Sequence, residues 1–396
     1  MPWKECHVED ERMRFVIRLK DGEKMAALCK EFGISRKTGY KIFARYENHG
    51  LEGLTDRSRR PYRQAQQLPE ALEAEIVRLK REYPHWGAPK IRERLRRRFP
   101  DLLRCPAVST VHAVLDRRGL VERRRRRRAH ATGTPLSRPV QPNELWCADF
   151  KGEFQLSDRR YCYPLTVTDF ASRYLIRCEA LPSTKAPPVV TAFERAFHEF
   201  GLPRAIRTDN GLPFGCGNAL YGLTRLSVWW LRLGIGIERI KPGHPEQNGR
   251  HERMHLTLKR EATKPASPNF LQQQARFDAF VARYNEERPH EALAMRVPAD
   301  DYVPSPRPYR GIGELEYPFH DWTAIVTTCG RICYEKRKVN LRTVFAGQKV
   351  GVSQVSEHIW LVSFMDYDLG YFDDDTCRLE PIENPFWRKV LPMCPE

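Results

Sequence analysis

The sequence predicts a multidomain protein: basic all-α units first, an α/β middle domain with a mixed sheet, and a small all-β barrel last. Three observations carry that expectation. At 396 residues the chain is too long for one ordinary domain. Apolar residues recur at helical spacing up to about residue 118 and alternate as in strands after residue 143. Charge is unevenly spread: residues 1–140 hold 34 Lys and Arg against 18 Asp and Glu, and the other 256 residues carry only +1 of the net +17. A solubilising surface charge does not explain confinement to one region, whereas a part that holds a polyanion does.

Within residues 1–54, helical patterns cover 9–19, 23–31 and 35–48. Gly33 breaks the last two, Ser35 can cap the second, and Arg36, Lys37, Lys41 and Arg45 line it, which is a helix-turn-helix arrangement. A basic linker, 55–67, leads to a second three-helix pattern over 68–122. Its helices are expected at 68–83, 87–98 and 109–118, with Arg92 and Arg96 among the arginines of the middle one. The segment 123–142 opens with six arginines, Arg123, Arg124, Arg125, Arg126, Arg127 and Arg128, a like-charge run that stays extended unless a polyanion neutralises it.

From 143 to 302 the pattern gives strands at 145–156, 160–170 and 174–181, then helix 186–200, strand 205–208, helix 220–233, strand 235–240 and helices 249–262 and 270–287. A Pro-rich linker, 303–323, precedes β-branched and aromatic alternation over 324–385, the expected barrel. No apolar run reaches the length of a bilayer crossing, and the first ten residues lack the basic-then-apolar order of a secretory signal. The 11 cysteines are odd in number and form no CxxC pair. A reduced, cytoplasmic setting with buried thiols is expected, and Cys329 and Cys333 alone make a weak zinc signal.

The middle domain places acids where a hard cation could be held. Asp149 lies inside the first strand between Trp146 and Phe150, so it must be paired or be a ligand. Asp209 ends the fourth strand, in a triplet that also reads as an ordinary Asp-Asn-Gly turn. Two further acids compete for one role. Glu246 sits in a Pro/Gly loop, and Glu252 sits in the first turn of the following helix, where a carboxylate suits the helix dipole. On that helix His255, Leu256 and Lys259 share one stripe with Glu252, while Met254, Leu258 and Ala262 form another that can pack inward. Asp169, near Ser172 and Arg173, is expected to be a structural ion-pair partner.

These residues carry a resemblance. Trp146-x-x-Asp149-Phe150, then Thr208-Asp209-Asn210-Gly211, then Gly249-x-x-Glu252-Arg253 resemble the catalytic core of insertion-sequence transposases related to retroviral integrases. Tyr284-Asn285-Glu286-Glu287-Arg288-Pro289-His290, followed by Pro298, is similar to the closing helix and turn of those enzymes. The resemblance spans about residues 143–302 and implies a ribonuclease-H-like fold. It implies that Asp149, Asp209 and Glu252 hold two divalent ions, usually Mg2+, with Mn2+ able to substitute. Lys259 matches a position that contacts DNA ends. One departure is the spacing: 42 residues separate Asp209 from Glu252 and 36 separate it from Glu246, and the family's usual spacing is nearer the shorter count. The Gly-rich stretch 215–222 can absorb an insertion, so Glu252 is preferred. The His/Cys zinc module of retroviral integrases is missing, and the helix-turn-helix units stand in its place.

The activity implied is that of a DNA transposase: cleavage at the 3′ ends of a mobile element and joining of those ends to target DNA. Expected partners are double-stranded DNA, as terminal inverted repeats and as target, and further copies of the chain, as a dimer or tetramer on nucleoid-associated DNA. The competing readings are a non-catalytic DNA-binding regulator and a plain metal-dependent nuclease, since cutting and joining use the same acids.

Overall fold

The computed structural model describes residues 8–56, 68–100, 104–121, 136–217 and 219–386, apart from the side chains of Pro245 and Glu246. The arginine run and the 55–67 linker therefore fall largely or wholly outside the described residues. By internal contacts the chain divides into two units, Met1–Pro69 and Glu70–Glu396.

The first unit has three helices, α1 (Val8–Lys20), α2 (Met25–Glu31) and α3 (Arg36–His49). Acids in the first turn of α1 and bases in its last suit the helix dipole. Ser35 Oγ caps α3 by accepting from Thr38 N at 3.2 Å. Phe15, Val16, Leu28, Cys29 and Leu54 form the core. Gly39 lets α3 approach it closely, because a Cβ there would lie 2.6 Å from Cys29 Sγ.

The second unit begins with α4 (Glu70–Glu82), α5 (Ala88–Arg98) and α6 (Val108–Arg117), packed through Ile76, Leu79, Ile91, Leu95, Val111, Val114 and Leu115. This trio is docked on residues 287–300 of the same unit. Tyr83 Oη donates to Glu287 at 2.5 Å, Arg94 pairs with Glu287 and Arg97 pairs with Asp300 at 2.6 Å.

A mixed sheet comes next: β1 (Trp146–Phe150), β2 (Phe154–Gln155), β3 (Tyr161–Asp169), β4 (Leu175–Leu181), β5 (Ala205–Thr208) and β6 (Gly236–Arg239). β3 pairs antiparallel with β1, β2 and β4, whereas β1, β5 and β6 run parallel. Helices cover both faces. Between β4 and β6 come α7 (Ala186–Phe200) and α8 (Arg225–Arg232), whose Phe193, Phe197, Leu226 and Trp230 pack on Trp146, Ala148, Leu165 and Val167. On the other face α9 (Gly249–Glu261) and α10 (Phe270–Ala282) bring Met254, Leu258, Ala262, Phe277 and Phe280 onto Leu156, Cys162, Leu175 and Cys178. The middle segment is thus an α/β arrangement, a mixed sheet with helices packed on both faces.

Two predicted helices differ in detail. The span 220–233 breaks into a short turn, Leu220–Gly222, and α8, because Thr224 and Ser227 form a capping box that starts a fresh helix. The span 270–287 ends in a wider turn, Arg283–Glu287, closed by Arg288 N to Arg283 O at 3.1 Å.

The C-terminal strands are β7 (Trp322–Ile325), β8 (Arg331–Tyr334), β9 (Arg337–Asn340), β10 (Lys349–Ser356), β11 (Ile359–Phe364), β12 (Tyr367–Asp373) and β13 (Leu379–Pro381). They form a five-stranded antiparallel sheet, in the order β13-β12-β11-β10-β7, and a separate β8-β9 hairpin. Their apolar residues form one cluster with Leu223, Val228, Leu231 and Ile237 of the α/β part.

Candidate active site

Parallel pairing positions the first two acids. In the β1–β5 register Trp146 lies opposite Ile206 and Cys147 opposite Arg207. Continued two residues, that register brings Asp149 level with Asp209 on neighbouring strands, which lie about 4.8 Å apart in any sheet. Side chains at equivalent positions of such a pair point to the same face. Along β1, Trp146 and Ala148 pack toward α7 and α8, so Asp149 faces the α9 side by alternation.

The electrostatics show all three acids to be neighbours. Burial first, then the charges of Asp209 and Glu252, push the Asp149 carboxyl up to about 7, with the Phe150 amide and Lys151 opposing. Asp209 is also raised by burial, against a hydrogen bond from Gly211 N at 3.2 Å and the Arg239 charge. Glu252 is exposed in the first turn of α9. Glu246 falls in the turn Pro245–Asn248, and its side chain lies outside the described residues.

Beneath Asp149 lies a polar network that the periodicity of α9 did not reveal. His255 shares no outward stripe with Leu256 and Lys259; it is buried at 7% exposure, and His251 is buried at 1%. Thr166, opposite Asp149 across the β1–β3 pair, meets both rings: Oγ1 lies 2.8 Å from His251 Nε2 and 2.7 Å from His255 Nε2. The same hydroxyl donates to Asp149 O at 3.0 Å, and Thr168 Oγ1 lies 2.8 Å from His251 Nδ1. Burial holds both imidazoles far below the usual histidine range, His255 at about 3. The signal was present in sequence as His251-x-x-x-His255, one helix face, opposite Thr166-x-Thr168, one strand face.

Cations frame the acids. The Lys151 ammonium is lowered by burial first and then by the Lys259 charge, with Asp149 opposing, so both lysines flank the site. Asp169 is a structural residue of another kind than expected: Asn143 N, Ser172 N and Ser172 Oγ donate to it at 2.6–2.8 Å, and these bonds replace the expected ion pair.

Donor chemistry fits a divalent ion. The charges of Asp209 and Glu252 act on Asp149, and that repulsion together with burial holds its carboxyl up, which a cation would offset. Ligand atoms of Asp149, His251 and His255 also lie within 4.8 Å of one another.

Of the residues expected to bind DNA, Arg36, Lys37 and Lys41 are exposed on α3, and Arg45 is half-buried. On α5, Arg96 pairs with Glu93 at 2.7 Å and Arg92 Nε donates to Pro106 O at 2.9 Å. Arg123–Arg128 lie outside the described residues. No helix is long and apolar enough to cross a membrane among the described residues.

Known proteins match parts of this chain. Two integrase core domain models match residues 139–245 and 233–298. A helix-turn-helix domain model matches 11–62 and a homeodomain-like model matches 38–115. An uncharacterized 31.7 kDa protein of insertion element IS407 from Burkholderia multivorans is 30% identical over 46% of this chain and 64% of its own length. An uncharacterized 39.2 kDa protein of insertion element IS476 from Xanthomonas euvesicatoria is 27% identical over 58% of this chain and 64% of its own. The chain thus spans just under two thirds of each relative. Among solved structures, the HTLV-2 integrase catalytic core domain in complex with magnesium matches at 17% identity, over 41% of this chain and 97% of that one, with a TM-score of 0.32.

Proposed function

We propose that this chain is an insertion-sequence transposase with an integrase-type core, as its matches to integrase core domains and insertion-element proteins support, and that it binds the terminal inverted repeats of its element, cleaves them to expose 3′ ends and joins those ends to target DNA. The observation that carries this reading is the convergence of Asp149, Asp209 and Glu252, each of the last two raising the Asp149 carboxyl. We assign the three as ligands of two divalent ions, Mg2+ with Mn2+ able to substitute. When bound, such a pair neutralises phosphate charge and lowers the pKa of a water or hydroxyl. The chain's own residues do the rest. Lys151 and Lys259 flank the acids and offset repulsion between carboxylates and the DNA backbone. No Ser or Tyr nucleophile is needed.

End recognition falls to the helix-turn-helix units, with Arg36, Lys37, Lys41 and Arg45 on α3 reading or clamping DNA. Arg92, Arg96 and the run Arg123–Arg128 follow the phosphate backbone. The working form is an oligomer on nucleoid DNA.

Incubating the protein with terminal-repeat DNA and Mg2+ or Mn2+ and resolving the products on a gel tests this. Joined product supports transposition, cut product alone supports a nuclease, and neither supports a binding regulator. Joining that persists in Asp149→Asn would sink the assignment.

A further inference from the structure

We propose that His255 supplies a nitrogen ligand, Nδ1, to an ion held by Asp149, which tilts the site toward ions that accept imidazole. This rests on the reading of the acids as a metal site. The assignment turns on a single hydroxyl proton. Thr166 Oγ1 has three polar neighbours at 3.0 Å or less: the main-chain oxygen of Asp149, His251 Nε2 and His255 Nε2. A threonine hydroxyl owns one proton, and a carbonyl can only accept. The proton therefore goes to Asp149 O, and both rings donate to Oγ1 through Nε2–H.

The remaining nitrogens then differ. His251 Nδ1 accepts from Thr168 Oγ1 at 2.8 Å, so both nitrogens of that ring are used. His255 Nδ1 keeps a bare lone pair, because an N–H there would aim at a carboxylate oxygen it does not reach. That nitrogen stands 3.9 Å from Asp149 Oδ2. The distance is too long for a hydrogen bond, and two lone pairs so placed repel unless a positive charge lies between them. Two ordinary metal–ligand bonds add to roughly 4 Å, so one ion can reach both atoms. The opposite tautomer would leave the 3.0 Å contact between two oxygens without a proton and aim an N–H at a carboxylate it does not reach.

An imidazole beside carboxylates favours Co2+ and Zn2+ over Mg2+. In calorimetric titrations of the metal-free full-length chain, His255→Asn should weaken Co2+ binding at least about tenfold and Mg2+ binding far less. With Mn2+ as probe, pulsed electron paramagnetic resonance should show nitrogen coupling that His255→Asn removes. If His255→Asn does not fold, zinc titration of wild-type protein with 15N-labelled histidine decides. His255 Nδ1 should then shift strongly and both nitrogens of His251 only slightly. Metal binding that Asp149→Asn abolishes but that shows no nitrogen coupling, or no His255 Nδ1 shift, overturns the proposal and leaves the acid site standing. Metal binding indifferent to Asp149→Asn overturns both.

Discussion

Asp149 is an acid placed where water is scarce and two like charges are near, and its protonation links the site to stability. In the metal-free fold it ionises near 7, against 3.8 for an exposed aspartate. Between those values the folded chain keeps a proton that the unfolded chain has released, so this group's contribution to stability falls as pH rises from about 4 to 7. Metal-free Asp149→Asn should therefore melt higher than wild type at neutral pH, with the gap closing toward pH 4. Thermal melts of both proteins across that range check it, and a gap independent of pH would refute it. Glu252→Gln should slow strand cleavage by at least about a hundredfold, more than loss of a group behind a metal ligand usually costs. Glu246→Gln should stay within about twofold, by the usual small cost of a group outside the site, and a reversed pair of rates would favour the shorter spacing. The placement of Asp149 and Asp209 on paired strands was legible because motif order and strand ends mark them. The histidines were not, because spacing along α9 says which residues share a stripe and not which stripe meets Thr166.

Among the elements, α10 shows how a motif residue can be structural. Its continuation as a wide turn presents Asn285, which is buried. The Asn285 side chain accepts from Leu175 N at 2.8 Å and donates to Leu175 O at 3.0 Å, satisfying both main-chain groups at the start of β4. Asn285→Ala would strand two buried backbone groups and should cost about 2–4 kcal/mol, read from denaturant unfolding. A loss below about 0.5 kcal/mol would mean that water replaces the amide. Helix α7 and strand β5 were legible to the residue, since strong apolar periodicity and flanking Pro and Gly leave little freedom. The break before α8 was not, because it depends on a hydroxyl pair, Thr224 and Ser227, rather than on an apolar pattern.

For the chain taken together, charge placement predicts how DNA is held. With several phosphates contacted, affinity for duplex should fall about a thousandfold between 50 and 200 mM salt. A flat salt response would place recognition elsewhere than in the basic units. Deleting residues 1–69, which form a unit by their own contacts, should lose preference for terminal-repeat DNA while leaving metal binding at Asp149 within about twofold, as expected for independently acting units. Filter binding and calorimetry read the two effects separately.

The contacts of Tyr83, Arg94 and Arg97 with Glu287 and Asp300 bear on a different matter, limited proteolysis. Trypsin cuts after arginine, and the sequence offers six in a row at 123–128. A chain nicked there would still hold α4–α6 against the α/β part through those pairs and the surrounding packing. The two fragments should migrate as one species on a native gel and separate only in denaturant.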